Sequence, residues 1–281
     1  MFNRRGFLRL SIAAAGGLAG ARLLAAERRS LGAQLYTVRR DAARDLPAVL
    51  AAVQKIGYTE VETYWDIYRH PPAELRRMIN DHGLAAPSGH FDYGGVDSKI
   101  DYAKSLGVQY VICPMLPKSM RLTLDGYKRA ADQFNIWGET IHRAGMQFGF
   151  HNHNYEFRRF GDTTGFETLM SRCDPKLVCI EMDCYWITQA GRDPLQMFRQ
   201  YGSRIKLLHL KDRKPGFPTS QTKDRAAEHF TEVGAGTIHW QEILAVAEAN
   251  GVKHLFVERD SGGLQALESL RISYQNLQKI S

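Results

Sequence analysis

The sequence predicts an α/β protein built as a single (β/α)8 TIM barrel, on three observations. Strand-length apolar runs alternate with longer stretches of helical period, glycines recur just ahead of the strands, and no linker or shift in composition divides the chain. The length of 281 residues, less an N-terminal leader, is close to the roughly 250 that such a barrel needs.

The leader is read first because it distorts every whole-chain count. Asn3-Arg4-Arg5-Gly6-Phe7-Leu8-Arg9 pairs two arginines with an apolar dipeptide, and a weakly apolar run rich in Ala and Gly continues to Ala21. This pattern is that of a twin-arginine export signal, so residues 1–26 are expected to direct a periplasmic location and residues 27–281 to form the barrel. Arg22 ends the apolar run well short of the ~20 residues that span a bilayer, which predicts no stable membrane insertion.

The strand candidates, in order, are 31–38, 60–64, 85–91, 110–116, 147–153, 177–184, 205–211 and 254–258. Each is a run of consecutive apolar residues, as expected of parallel strands covered on both faces. Helical stretches include 45–55, 72–81, 122–144, 240–250 and 264–279. Leu46, Val49, Leu50, Val53 and Ile56 show their three- and four-residue spacing. Gly57, Gly83, Gly107, Gly145 and Gly251 close helical stretches immediately before strands, where a left-handed residue is commonly needed. No glycine-rich phosphate fingerprint follows the first strand, which argues against a dinucleotide-binding open sheet. The longest irregular stretch, 212–237, follows the seventh strand and is expected to be an active-site loop.

Charge and cysteines narrow the function. The net charge of +7 falls to +3 beyond residue 26, where 33 basic and 30 acidic residues remain. No basic run with interleaved aromatics is left, so nucleic acid is excluded as a partner. Cys113, Cys173, Cys179 and Cys184 follow no metal-ribbon spacing and lie in apolar surroundings, which predicts buried free thiols.

Chemistry in this fold belongs at the C-terminal ends of the strands, and polar residues collect there. The motifs are Ser88-Gly89-His90-Phe91, Phe150-His151-Asn152-His153-Asn154-Tyr155-Glu156, Ile180-Glu181-Met182-Asp183-Cys184-Tyr185-Trp186, Leu207-Leu208-His209-Leu210-Lys211-Asp212 and Phe256-Val257-Glu258-Arg259-Asp260. Glu62 closes the second strand and Gln34 lies in the first. One charged group at the end of an apolar strand is often no more than a satisfied core residue. Four consecutive strands ending this way, around one barrel axis, point to a site. His151 and His153 form one inward pair and Glu181 and Asp183 another, with the residue nearer the strand's end, Asp183, better placed for the pocket. Imidazole with carboxylate suits a divalent transition metal. Mn²⁺ is the leading candidate, ahead of Zn²⁺, Co²⁺ and Fe²⁺, while Mg²⁺ and Ca²⁺ fit less well.

On these motifs the chain resembles the xylose isomerase-like barrel superfamily, in its branch of sugar phosphate isomerases and epimerases, over essentially everything after the leader. The resemblance implies one metal ligand from each of strands five to eight, which in the related ketose epimerases are glutamate, aspartate, histidine and glutamate. Asp183, His209 and Glu258 match the last three, and His151 stands in the place of the first glutamate. Trp186 stands where the epimerases place a histidine. The motif His151-Asn152-His153-Asn154-Tyr155-Glu156-Phe157 is typical of a branch that includes inosose dehydratase-like and keto-glycoside-processing proteins.

The leading expectation is a metal-dependent sugar isomerase or epimerase that abstracts a proton beside a metal-coordinated carbonyl. Glu258 would be ligand and base, His153, Glu156 or Glu62 the second acid-base group, and Lys211 the holder of the oxyanion. Gln34, Glu62, His90 and Trp186 are the expected substrate contacts, and Tyr64, Trp65, Tyr155, Tyr185 and Trp186 could stack on sugar rings. The alternative is a lyase or hydrolase acting on 3-keto glycosides, or a keto-inositol dehydratase, through the same enolate. A non-catalytic sugar-binding barrel is the third reading. The expected partner is a small sugar or keto-sugar, and assembly into a homo-oligomer is allowed.

Overall fold

A computed structural model of the chain describes residues 30–222, 229–261 and 265–280. The expected leader, residues 1–26, lies outside the described residues. Eight parallel strands close into a barrel: β1 (Leu31–Gln34), β2 (Glu60–Thr63), β3 (Ala85–His90), β4 (Tyr110–Cys113), β5 (Gln147–His151), β6 (Val178–Asp183), β7 (Ile205–Leu210) and β8 (His254–Val257). Their order is β1-β8-β7-β6-β5-β4-β3-β2. Closure is made by β1, which pairs Gly32 with Glu60 of β2 and with Phe256 of β8.

Helices return the chain from each strand to the next. They are α1 (Leu46–Ile56), α2 (Pro72–Asp81), α3 (Ile100–Leu106), α4 (Leu124–Arg143), α5 (Gly165–Arg172), α6 (Cys184–Gln189), α7 (Pro194–Tyr201), α8 (Trp240–Ala249) and α9 (Ala266–Ile280). Local signals start them. Asp45 accepts the Ala48 N–H at the head of α1. Thr164 and Glu167 form a reciprocal capping box at the head of α5, and such caps are worth ~1 kcal/mol each. The apolar stripe of α1 is buried at Val49, Leu50 and Val53, each such side chain contributing ~1.5–3 kcal/mol. Gly107 ends α3 with φ 88°, a left-handed conformation that turns the Val108 N–H back onto the Ala103 carbonyl and aims the chain into β4.

The strands are shorter than the apolar runs that announce them. The first ends at Gln34 rather than 38, and the fifth at His151 rather than 153, because beyond the rim no neighbouring strand remains to pair with. The described parts of the stretch 212–237 carry more regular structure than the irregular loop expected. Within its described part Asp212–Arg213 pairs antiparallel with Phe230–Thr231. The buried Asp212 carboxylate accepts the backbone N–H groups of Arg213, Gly234, Gly236 and Ile238 and the Trp240 indole N–H.

The barrel interior is filled in layers by every second residue of each strand. Near the N-terminal end the filling is apolar: Ile112, Cys179, Leu207 and Phe256 form one buried cluster. Gly149 makes room for it, since a Cβ there would lie 2.6 Å from Ile112 Cδ1 and 2.8 Å from Cys179 Sγ. All four cysteines are free and buried, as their surroundings predict. No described helix is long and apolar enough to cross a membrane.

Candidate metal and active site

Continuing the same alternation toward the C-terminal rim turns the filling polar. One step above Cys179 comes Glu181 and then Asp183. Above Leu207 come His209 and Lys211, above Gly149 come His151 and His153, and above Phe256 come Glu258 and Asp260. Glu181 and Asp183 are therefore not alternatives, nor are His209 and Lys211: in each pair the first enters a deep polar layer and the second an upper one.

The deep layer is buried, with His90 and His151 forming its edge toward the cleft. Glu181 Oε2 lies 2.7 Å from His90 Nε2, 3.0 Å from His151 Nδ1 and 3.3 Å from His209 Nε2. Glu62 Oε2 meets His209 Nε2 at 2.6 Å and His90 Nε2 at 3.1 Å. Burial pushes the Glu181 carboxyl up, and the charge of Glu62 adds to it, to about 7. Glu62 moves the other way. Burial would raise it, but the imidazoles of His90 and His209 hold it well below the ordinary range. Burial opposes charge on His90, yet the two carboxylates raise it to about 9. His151 is kept neutral by burial and by the positive charges of His209, His90 and Lys211.

The upper layer holds Asp183, Glu258 and Lys211. Asp183 is set by two local devices. Its Oδ1 accepts the Trp186 N–H and so caps α6, and its backbone N–H is held by Asn152 Oδ1 at 3.0 Å. Oδ2 is left to face the interior, where it pairs with Lys211 Nζ at 3.0 Å and lies 3.6 Å from His151 Nε2. Glu258 Oε2 is 2.7 Å from His209 Nδ1 and 2.7 Å from Lys211 Nζ. Lys211 also pairs with Asp260 at 2.7 Å. Burial disfavours its charge, but the three carboxylates outweigh burial and raise it well above an ordinary lysine.

Among the described residues, two groups bring His, Asp or Glu ligand atoms within 4.8 Å of one another: His90, His151, Glu181 and His209, and Asp183, His209 and Glu258. His209 belongs to both because it shows Nε2 to the deep layer and Nδ1 to the upper one. Mixed nitrogen and carboxylate donors at these spacings are the chemistry of a first-row divalent ion.

Above the layers opens a cleft of about 650 Å³ lined by Tyr36, Arg39, Trp65, His90, Pro114, Met115, His151, His153, Lys211, Glu258, Asp260 and Ser261. Of the residues expected to act, His153, Lys211, Glu258, His151 and His90 reach this cleft. Gln34, Glu62, Asp183 and His209 lie beneath it. Glu156 lies behind its wall, fully buried, with Oε2 accepting the His153 backbone N–H at 2.9 Å. Its carboxyl is pushed up to about 7 by burial. Trp186 is also enclosed. Its ring backs His153 at 5.2 Å and lies 6.0 Å from Lys211 Nζ. Of the expected stacking aromatics only Trp65 lines the cleft, partnered by Tyr36 at 5.4 Å. Tyr36 and Asp260 escape the sequence reading, although each follows an inward residue by two (Gln34 and Glu258). Extending the alternation past the strand ends finds both. Arg39, in the turn after β1, has no such signal.

A closed barrel with stacked imidazole and carboxylate groups at its C-terminal mouth defines a TIM barrel with a candidate metal site where this fold places its chemistry. Residues 50–276 match the family described as xylose isomerase-like TIM barrel, and the chain belongs to that family. Inosose dehydratase of Lacticaseibacillus casei is 28% identical over 136 residues, which cover 46% of this chain and 45% of that protein. The chain spans about half the length of the curated relatives it matches. A sugar phosphate isomerase/epimerase from Parabacteroides distasonis superposes with a TM-score of 0.74 at 25% identity, covering 95% of this chain and 98% of that one. The IOLI protein, solved with a bound zinc atom, superposes with a TM-score of 0.70 at 15% identity over 89% of this chain and 97% of its own. That last likeness is one of fold.

Proposed function

We propose that the chain is a divalent-metal-dependent lyase or dehydratase acting on a keto-sugar or keto-polyol. One observation carries the reading: the cleft is asymmetric. Lys211, Glu258 and Asp260 from the β7 and β8 side face His90, His151 and His153 from β3 and β5, and β3 stands across the barrel from β7. Proton return between two equivalent carboxylates, as epimerisation would use, is poorly served by this arrangement. Removal of a proton on one side and protonation of a departing oxygen on the other are well served.

Asp183, His209 and Glu258, with His151 Nε2 beside Asp183, would hold the ion, with Mn²⁺ or Zn²⁺ the candidates to test first. Bound there, the ion supplies Lewis-acid polarisation of a substrate carbonyl and stabilisation of negative charge on its oxygen. Burial would raise the Glu258 carboxyl, but Lys211 and His209 hold it ionised, and it would be the group that takes the proton from the neighbouring carbon. The Lys211 ammonium is positioned to donate to the oxygen on which charge develops. His153 would pass a proton to the leaving hydroxyl or alkoxyl, and Tyr36 and Trp65 offer apolar surface to a sugar ring. Support also comes from the inosose dehydratases that half of the chain matches.

The test incubates metal-loaded protein with a keto-inositol and with 3-keto glucosides in D₂O. The expected result is deuterium uptake beside the carbonyl together with loss of water or alcohol and an unsaturated ketone absorbing in the ultraviolet. Deuterium uptake with conserved mass would replace this reading by isomerisation or epimerisation. Absence of both would leave a binding barrel. His209→Ala and Glu258→Gln are expected to lose bound metal and at least 10²-fold of the activity with the fold retained.

A further inference from the structure

Glu62 stands at the end of β2, fully enclosed, and does not line the cleft. Its four neighbours come from three other strands. Ser88 Oγ from β3 donates to Oε1, and Gln34 Nε2 from β1 donates to Oε2. His209 Nε2 from β7 lies 2.6 Å from Oε2, and His90 Nε2 from β3 lies 3.1 Å from it. The Gln34 amide is itself oriented, because its Oε1 accepts the Tyr36 backbone N–H at 3.0 Å. With its oxygen committed to a backbone donor, Gln34 can offer Glu62 only N–H.

Both nitrogens of His209 face a carboxylate, Glu62 at Nε2 and Glu258 at Nδ1, and of these two carboxylates only Glu258 belongs to a group of candidate metal ligands. An ionised carboxylate only accepts, so the 2.6 Å contact requires hydrogen on Nε2. In the neutral ring Nδ1 is then a bare lone pair, and it lies 2.7 Å from Glu258 Oε2. A lone pair and a carboxylate oxygen at that distance repel unless a cation lies between or beside them. A second proton meets that need in the metal-free ring, and a divalent ion meets it when bound. We propose that Glu62 is a positioning residue that holds the Nε2–H of His209 and thereby makes Nδ1 the metal-coordinating atom. The role differs from the substrate contact or acid-base group expected from sequence, and it rests on the metal reading given above.

Two measurements test it on the full chain. The first is Co²⁺ affinity, by competition with a chromophoric chelator, for the native chain, Glu62→Gln and Glu62→Ala, with circular dichroism as the check on folding. Loss of an outer carboxylate behind a ligand histidine typically weakens binding ~10–100-fold, and that loss is expected for both variants. The second reads the native chain first and the Glu62→Gln variant against it. The ¹H spectrum of the Co²⁺-loaded protein should contain a hyperfine-shifted, slowly exchanging N–H assigned to His209 Nε2, and that signal should broaden into solvent exchange in Glu62→Gln. Native affinity in both variants would overturn the inference while leaving the metal reading intact. Coordination of Co²⁺ through His209 Nε2 in the native chain would overturn it even if the variants fail to fold. A native chain that binds no Co²⁺ would overturn both.

Discussion

His90 shows what a single side chain in this barrel is asked to do. It lines the cleft and closes the deep layer, with Glu181 at 2.7 Å and Glu62 at 3.1 Å. In the metal-free protein the carboxylates hold its proton up to about 9, against an unfolded value near 6.5. The folded state therefore binds more protons than the unfolded one between those values. The stability that His90 contributes is complete below pH 6.5 and is lost as pH rises through 9. Urea midpoints in the presence of a chelator should fall across that window. His90→Gln should remove one proton's worth of the slope, ~1.4 kcal/mol per pH unit at most. An unchanged slope would show that His209 and the carboxylates carry the titration without His90. Lys211 illustrates the same economy of charge. Its ammonium balances three carboxylates that would otherwise repel one another inside the barrel mouth.

At the scale of elements, the site depends on how the segment after β7 is tied down. Asp212 directly follows Lys211, and its carboxylate serves four backbone N–H groups and an indole. It anchors the ribbon Asp212–Arg213/Phe230–Thr231 to the start of α8, and it fixes the backbone on which Lys211 sits. Each buried donor left without an acceptor costs ~1–3 kcal/mol. Asp212→Ala is expected to destabilise the protein by about 3 kcal/mol in urea unfolding, with Asp212→Asn, which keeps one oxygen, intermediate. A change below 1 kcal/mol would mean that water replaces the carboxylate and that the segment is held by other contacts. The α6 cap works in the opposite direction. There Asp183 uses one oxygen to start a helix and frees the other for the site, so one residue serves both element and chemistry.

For the whole molecule, residues 27–281 are expected to carry the complete barrel, and residues 1–26 to act only as an export signal. If residues 1–26 are a cleavable export signal, removing them should leave the melting temperature unchanged within about 1 °C. Replacing Arg4 and Arg5 by lysine should stop twin-arginine-dependent export of a tagged chain. A fall of several degrees on truncation would place the leader within the fold. Export of the lysine variant at the native level would remove the twin-arginine assignment.

The sequence by itself determined the architecture and the neighbourhood of the chemistry. Alternating periods, glycines before strands and polar residues at apolar strand ends are local properties, and local physics enforces them. Alternation gathered His151 with His153 and Glu181 with Asp183 on shared faces, and the resemblance to xylose isomerase-like barrels, not alternation, singled out His151, Asp183, His209 and Glu258 as expected ligands. The sequence left open which member of each pair points into the pocket, and it gathered Glu62, Gln34, His90 and Trp186 into one class of substrate contacts. Depth decided both questions. How far each strand is sheared against its neighbour sets the layer in which a residue ends, and shear comes from closing eight strands around one axis. Closure puts Glu181 opposite His151 and His209 opposite Asp183, buries Glu62 beneath the cleft and brings Asp260 to Lys211. Those distances join residues from different strands, and only closure of the barrel could set them.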